Sequence, residues 1–351
     1  MTERVFVVGM GASTPVGRGA WESAAAVRAG ISGFTEHPHM IDTAGQPMRA
    51  AIAPWLDVSL LGAGRFEALL LPAIDEAIAA VPTPTPSAAR WALALGLPSP
   101  RPGLEDDIAR QLTKRIAQRH RSTFSSAAVF EAGHAAGLIG LQAAFAKLGQ
   151  GALDACVVAG VDSWLQPETL EWLERNDQLH GAGPLNNAWG FIPGEAGAAL
   201  LLVTERAMHA MGAEPLARVV GVGTSHEPNR IKTQTVCIGE GLTAAFRDAL
   251  AAVPKGVRIS DIYCDLNGEP YRADEFGFTV LRTKEHFESA SDFVAPADCW
   301  GDVAAAGGLL HVMLACAAGY KSYARGELAF VWSSAEMGER AAALLSTGGE
   351  Y

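Results

Sequence analysis

Apolar positions along the chain fall into two patterns, short unbroken runs and longer stretches at three- and four-residue spacing. Val5 to Gly9 is a β-branched run closed by the turn Gly9-Met10-Gly11-Ala12, and Trp21 to Ala29 has helical composition, which predicts a strand, loop and helix opening. Phe66 to Ala80 predicts a helix, the Pro- and Thr-rich Val81 to Ser87 a linker, Trp91 to Leu95 a buried strand and Glu105 to Arg119 an amphipathic helix. The Ala-, Leu- and Gly-rich His134 to Leu148 reads as a helix, and Asp154 to Gly160 and Gly197 to Thr204 as buried strands. Between those strands runs an irregular stretch holding Trp164, Trp172 and Trp189. Around Arg206 the plan starts again: strand Ala217 to Gly223, helix Gly239 to Val253, strand Ile259 to Leu266, helix Val303 to Ala318, strand Leu328 to Ser333. Alternating strands and helices predict a parallel-rich α/β protein. It divides into halves at 1–205 and 206–351, with no clear residue-level repeat.

Two segments invite other readings. Ala304 to Gly319 has His311 as its one strongly polar side chain, yet it is short of the roughly 20 residues of a membrane span, so a buried helix is expected. Gly9 and Gly11 after a strand suggest a dinucleotide loop, but the third glycine is misplaced and no acidic residue ends a second strand at the expected distance.

The 351 residues carry 27 Lys plus Arg against 38 Asp plus Glu, a formal charge of −11, which argues against nucleic-acid binding. A hydrophobic content of 49% excludes a disordered chain. The five cysteines are widely spaced with no CxxC pair, which is reduced, cytosolic usage. The opening MTERVFVVGMG lacks signal-peptide features, so a cytoplasmic protein is expected, with no metal, no cofactor and no membrane insertion. Lys114, Arg115, Arg119, His120 and Arg121 form the one dense basic cluster, either a solvated helix end or a dock for an acidic partner.

Three segments then carry a resemblance. VVGMGASTPVGRGAWESAAAVRAGISGF resembles the first strand and loop of β-ketoacyl-carrier-protein synthases. GFIPGEAGAALLLVTERAMHAMGA, with Gly194, Glu195 and Gly197, is similar to their glycine- and glutamate-containing strand. HAAGLIGLQAAFAKLGQGALDACVVAGVDSW aligns with their nucleophile-bearing helix and the strand behind it. Thr35 to Ser126 matches poorly. The resemblance implies an α/β thiolase-like fold, two duplicated α/β halves in five αβαβα layers, associating as dimers.

It also implies decarboxylative Claisen condensation, in which a cysteine at a helix N-terminus takes the acyl group and two histidines assist. The nucleophile position here is His134. The first histidine corresponds to Asn267, and the second to Asp302 in CWGDVAAAGG; the usual lysine falls near Ala297, and SSAEMGERAA replaces the glycine-rich gate. All three triad positions are substituted. The helix dipole would keep the His134 ring neutral and basic, with Asn267, Asp302 and Glu269 around it. Cys299 is the cysteine nearest the old site, with a small buried hydrophobe as its plainer reading. DLNGEPYRADEFG reads as a polar turn in which Arg272 pairs with Glu269 or Asp302, and Trp164, Trp172, Trp189 and Trp300 as a plug or lining of an acyl channel.

Two functions compete. One is a non-condensing partner subunit, adaptor or chaperone, as a homodimer or a heterodimer with another thiolase-fold protein. Chain-length partner subunits of polyketide systems are such relatives, and thiolase-like proteins are also encoded beside type VI secretion effectors, which adds a secreted-effector partner. The other is an acyl-thioester transferase or 3-oxoacyl-carrier-protein synthase-type enzyme rebuilt around His134, Asn267 and Asp302. Its acidic carrier protein would dock on Lys114, Arg115, Arg119 and Arg121.

Overall fold

The computed structural model describes residues 3–81, 90–121, 123–230, 233 and 235–348, so most of the expected linker, 82–87, lies outside the described residues. The first half runs β1 (Val5–Ser13), α1 (Ala20–Arg28), β2 (Phe34–Ile41), β3 (Pro47–Ala51), α2 (Gly62–Ala79), β4 (Trp91–Leu97), α3 (Ile108–Arg119) and β5 (Ser126–Glu131). It continues through a 3-10 turn (Gly133–Ala135) into α4 (Ala136–Gly149), then β6 (Ala155–Ser163), α5 (Pro167–Arg175), β7 (Glu195–Thr204) and α6 (Glu205–Met211). The second half runs β8 (Ala217–His226), α7 (Glu240–Leu250), β9 (Asp261–Cys264), α8 (Pro270–Leu281) and α9 (Ala297–Trp300). A 3-10 turn (Ala304–Ala306) opens α10 (Gly307–Tyr320), followed by β10 (Leu328–Ser334) and β11 (Glu339–Ser346).

Nine strands hydrogen-bond in the order β5-β4-β6-β7-β1-β8-β11-β10-β9, and β2 and β3 form a separate hairpin. The order β4-β6-β7-β1 of the first half reappears as β9-β10-β11-β8 in the second, with one parallel and two antiparallel pairings each. The halves join where Val5 to Val7 pair with Ala217 to Val219. The expected parallel-rich sheet is therefore corrected: five of the eight pairings in the nine-stranded sheet are antiparallel. β1, β6 and β7 are buried on both faces, and such strands show the same unbroken apolar run in either direction.

Strand alternation sorts the side chains into layers. Val157, Ala159 and Val161 of β6 and Phe6 of β1 pack outward against α2 and α3. Cys156 and Val158, with Ala329 and Val331 of β10, pack inward around α4 and α10. Phe330 and Trp332 face the opposite outer side, under α7 and α8. A register shift between Val7 and Gly9 flips the parity of β1, so Met10 and Ala12 continue the inward face of Val5 and Val7. The result is five αβαβα layers. α10 occupies the centre, with every residue from Gly307 to Ala318 buried, as its unbroken apolar sequence predicts. No helix among the described residues is long and apolar enough to cross a membrane.

The Gly9 and Gly11 pair has a packing role. A Cβ at either position would lie 2.1 and 2.0 Å from the carbonyl oxygens of Ala77 and Ala73, so glycine lets α2 close on β1. Two segments correct the sequence expectations. Pro270 to Gly277 of the expected polar turn belongs to α8, opened by proline in its first turn, with Arg272, Glu275, Phe276 and Thr279 forming its buried face. Part of the irregular tryptophan stretch is α5, also proline-led.

Candidate functional site

The duplicated helices α4 and α10 start side by side, and the turn before each supplies one half of the site. His134 sits in the turn opening α4, after Gly133 at φ 53°, and Asp302 lies just before the turn opening α10. Ala304 adopts φ 36°, a conformation that non-glycine residues seldom hold, and its N–H donates to Asp302 Oδ1 at 2.9 Å. β9 leads to Asn267, and α8 brings Glu269 and Arg272 beneath it.

His134, Asn267 and Asp302 converge. His134 Nε2 lies 2.9 and 3.0 Å from the two Asp302 oxygens, and Asn267 Nδ2 donates to Asp302 Oδ2 at 2.6 Å. Trp164 Nε1 adds a bond to Oδ1 at 3.2 Å. Four side-chain and backbone donors thus surround one buried carboxylate. Burial opposes its ionisation, but His134, Arg272 and Asn267 outweigh that and hold it well below the usual carboxylate range.

His134 Nε2 faces both the Asp302 carboxylate, which can only accept, and the Arg272 guanidinium, which can only donate. The helix end offers the ring about half a positive charge, and the Asp302 carboxylate a full negative one at contact distance. Arg272 Nη2 lies 3.1 Å from the same nitrogen and adds positive charge to the cluster.

Arg272 is completely buried. It donates to Asp265 Oδ2 at 3.2 Å, to the Ser334 carbonyl at 2.7 Å and to Glu269 Oε2 at 3.4 Å. Of the two expected partners it pairs with Glu269, while Asp302 bonds to His134 instead. Burial raises the Asp265 carboxyl above its ordinary range, against the pull of Arg272 and His134. Glu269 also accepts from Asn267 at 3.2 Å and from Tyr271 at 2.7 Å. Behind it, Glu275 is held by Arg340 at 2.6 Å and Ser334 at 2.9 Å. Asp265, Trp164, Ser334 and Arg340 complete the site without having been assigned to it from sequence. The first two lie in segments already singled out, whereas the last two come from the far end of the chain.

Three spaces meet at this cluster. A cavity of about 20 Å³ touches His134, Asp265, Asn267, Asp302 and His311. One of about 100 Å³ is walled by Pro100, Arg101, His134, Trp164, Trp172 and Met337, and a cleft of about 230 Å³ reaches Asn267 and Asp302 past Phe34 and His180. Trp164 and Trp172 thus line an inner chamber, and Trp300 walls the smallest cavity. Trp189 is 70% exposed and plugs nothing. The Arg101 guanidinium lies 3.9 Å from the Trp164 ring and bonds to Asp162, fixing the indole.

Cys299 is buried beside the site but forms no wall of these cavities, and burial raises its thiol pKa. Cys156, Cys264 and Cys316 are core residues whose thiols burial also raises. In the basic cluster, Arg115 ion-pairs with Glu67 and Arg119 with Asp75, both on α2, while Lys114 borders a shallow groove beside Val129 of β5. Glu227, Cys237 and Glu275 bring ligand-type atoms within 4.8 Å of one another. Their carboxylates are already bound, Glu227 by the amides of Gly241 and Asn229 and Glu275 by Arg340 and Ser334, so this group reads as structural.

The layered halves and paired helix starts define a thiolase-like fold of the ketosynthase type. Residues 112–207 match the family profile described as the N-terminal domain of β-ketoacyl synthase. No curated protein matches the sequence. Among solved structures, the chain is similar to a type II polyketide-synthase acyl-carrier protein in complex with its ketosynthase bound to the hexaketide (AntDE:AntF). The TM-score is 0.82 at 15% identity, over 99% of both chains. It is also similar to the ishigamide ketosynthase/chain length factor (TM-score 0.79, 19% identity, 99% of this chain and 100% of that one). A third is the ketosynthase from module 6 of the bacillaene synthase of Bacillus subtilis 168 (TM-score 0.78, 16% identity, 99% and 72%).

Proposed function

We propose that this protein is a non-condensing ketosynthase-fold subunit that works by binding a partner. The carrying observation is that the substituted positions satisfy one another. His134 Nε2 contacts both Asp302 oxygens, which also accept from Asn267, Trp164 and Ala304. A nucleophile needs a free lone pair and a general base a free acceptor, and we read the mutual engagement of the Asp302 oxygens and His134 Nε2 as support for a structural part. No thiol lines the three cavities except Cys264, which burial holds protonated.

The domain halves 1–205 and 206–351 belong to this proposal as one unit of a dimer. β5 is an edge strand whose residues are largely exposed, with Ala127, Ala128 and Val129 along it, and an uncovered apolar edge favours pairing. We assign it the interface with a second copy or with another thiolase-fold chain, as in ketosynthase/chain length factor pairs; a carrier protein or a secreted effector would then be a further partner. Light scattering should give about twice the 36.8 kDa chain mass, and Val129→Lys should lower it to one chain. A wild-type monomer that pairs with no thiolase-fold chain would refute the assignment.

The enzymatic alternative is favoured by one observation, the chamber and cleft that meet at His134 and Asp302. Malonyl-carrier protein with an acyl primer separates the readings: carbon dioxide release should stay at the uncatalysed background. Release above it that is lost in His134→Ala would establish the alternative.

A further inference from the structure

A second concave surface lies at the opposite end of α10 from His134 and Asp302, where the C-terminus of α10 meets α1. It encloses about 590 Å³, within the range of small-molecule sites. Trp21, Ala24, Ala25, Arg28 and Ala29 of α1 recur at the spacing of one helix face, and that face lines the groove. Ala317, Lys321 and Tyr323 close the other side. The floor is therefore small and apolar and the walls are aromatic.

Its cations are arranged on rings. The Arg28 guanidinium lies 4.0 Å from the Tyr323 centroid, and the Lys321 ammonium lies 5.0 Å from Trp21 and 5.3 Å from Tyr320. The Trp21 and Tyr320 rings are themselves 5.1 Å apart. Neither cation forms a salt bridge with a carboxylate among the described residues, on a protein whose formal charge is −11. A guanidinium that rests over a ring and has no carboxylate partner keeps N–H donors available for an anion. The ends of α1 and α10 oppose an anion with about half a charge each, so two full positive charges leave the groove positive by about one unit. Several of the terminal carbonyls are moreover occupied by the amides of Ala29, Ile31, Lys321 and Tyr323.

We propose that this groove binds a small anion with a flat apolar body, an aromatic carboxylate, sulfonate or phosphate, independently of the His134 site. The rings of Trp21 and Tyr323 stack the body, and Arg28 and Lys321 take the acidic group.

The test titrates the full chain with 8-anilinonaphthalene-1-sulfonate and, in parallel, with the neutral N-phenyl-1-naphthylamine. The sulfonate should saturate and bind about tenfold more tightly than the neutral probe. Arg28→Gln with Lys321→Gln should remove that tenfold advantage and leave neutral-probe binding unchanged; Trp21→Ala should weaken both. Arg28 and Lys321 are exposed, so an unchanged melting curve shows that the double variant is folded. Equal binding of the two probes, no saturation, or sulfonate affinity unchanged in the double variant would overturn the proposal. Binding lost in His134→Ala and retained in the groove variants would move the site to the inner chamber and overturn it equally.

Discussion

Replacing Arg272 with methionine removes the fully buried guanidinium that bonds to Asp265 and Glu269, contacts His134 and helps hold Asp302 ionised. Methionine fills most of the volume, so the loss is mainly electrostatic. Removing one partner of a buried pair costs about 3–5 kcal/mol, because the other charge is left unpaired in a poorly solvated place. The raised pKa of Asp265 sets the variant near the lower end, since burial has already made protonation of that carboxyl cheap. At about 2.1 cal/mol/K per residue, 351 residues give an unfolding entropy of about 0.7 kcal/mol/K, so the expected fall in Tm is about 4–7 °C at pH 7. Circular dichroism melts at pH 7 and pH 5 are the assay. The deficit should shrink at pH 5, where the stranded carboxylates take up protons, and adding Asp265→Asn should recover part of it. A fall of less than about 1 °C, or a deficit that grows at pH 5, would refute the view that Arg272 compensates this cluster.

Three further outcomes follow from the same groups. Burial holds His311 at about 3, below its ordinary 6.5, so between those values the unfolded chain binds a proton that the folded one does not. Stability should fall as pH drops through 6.5, by at most about 1.4 kcal/mol per pH unit from this residue, and urea titrations of His311→Leu should show a shallower slope. Asp302 is depressed in the fold, so its stabilisation is present above the unfolded value near 3.9 and lost as pH falls through the lower folded value. Asp302→Asn should therefore melt lower than wild type at pH 7, with the gap closing below pH 4. Ellman's reagent at pH 8 should label no thiol quickly in the native protein, because burial pushes Cys237 up to about 11 and Cys316 to about 12; all five should react in guanidinium.

The inner layers were legible because unbroken apolar runs mark strands and helices buried on every side, as in β6, β7 and α10. Their direction was not, since nothing in such a run distinguishes a parallel from an antiparallel neighbour. β2 and the edge strand β5 escaped because their largely exposed residues carry no clean alternation, and β3 because the five residues Pro47–Ala51 are too few to show one. α8 was hidden by its own chemistry: Arg272 and Glu275 are polar residues on its core-facing side, paired inside the protein, so the apolar periodicity of a helix is broken where the site needs charge. His134, Asn267 and Asp302 were singled out through the resemblance alone. Their mutual bonding, and the part of Trp164 in it, depends on packing that joins residues 168 positions apart.

The central claim, that His134, Asn267 and Asp302 hold one another and react with no acyl group, meets its most direct test in intact-protein mass spectrometry. The protein is incubated with a panel of acyl thioesters and any adduct is mapped to a peptide. The account predicts the unmodified mass with every thioester, and an acyl mass on His134 or Cys299 would contradict it.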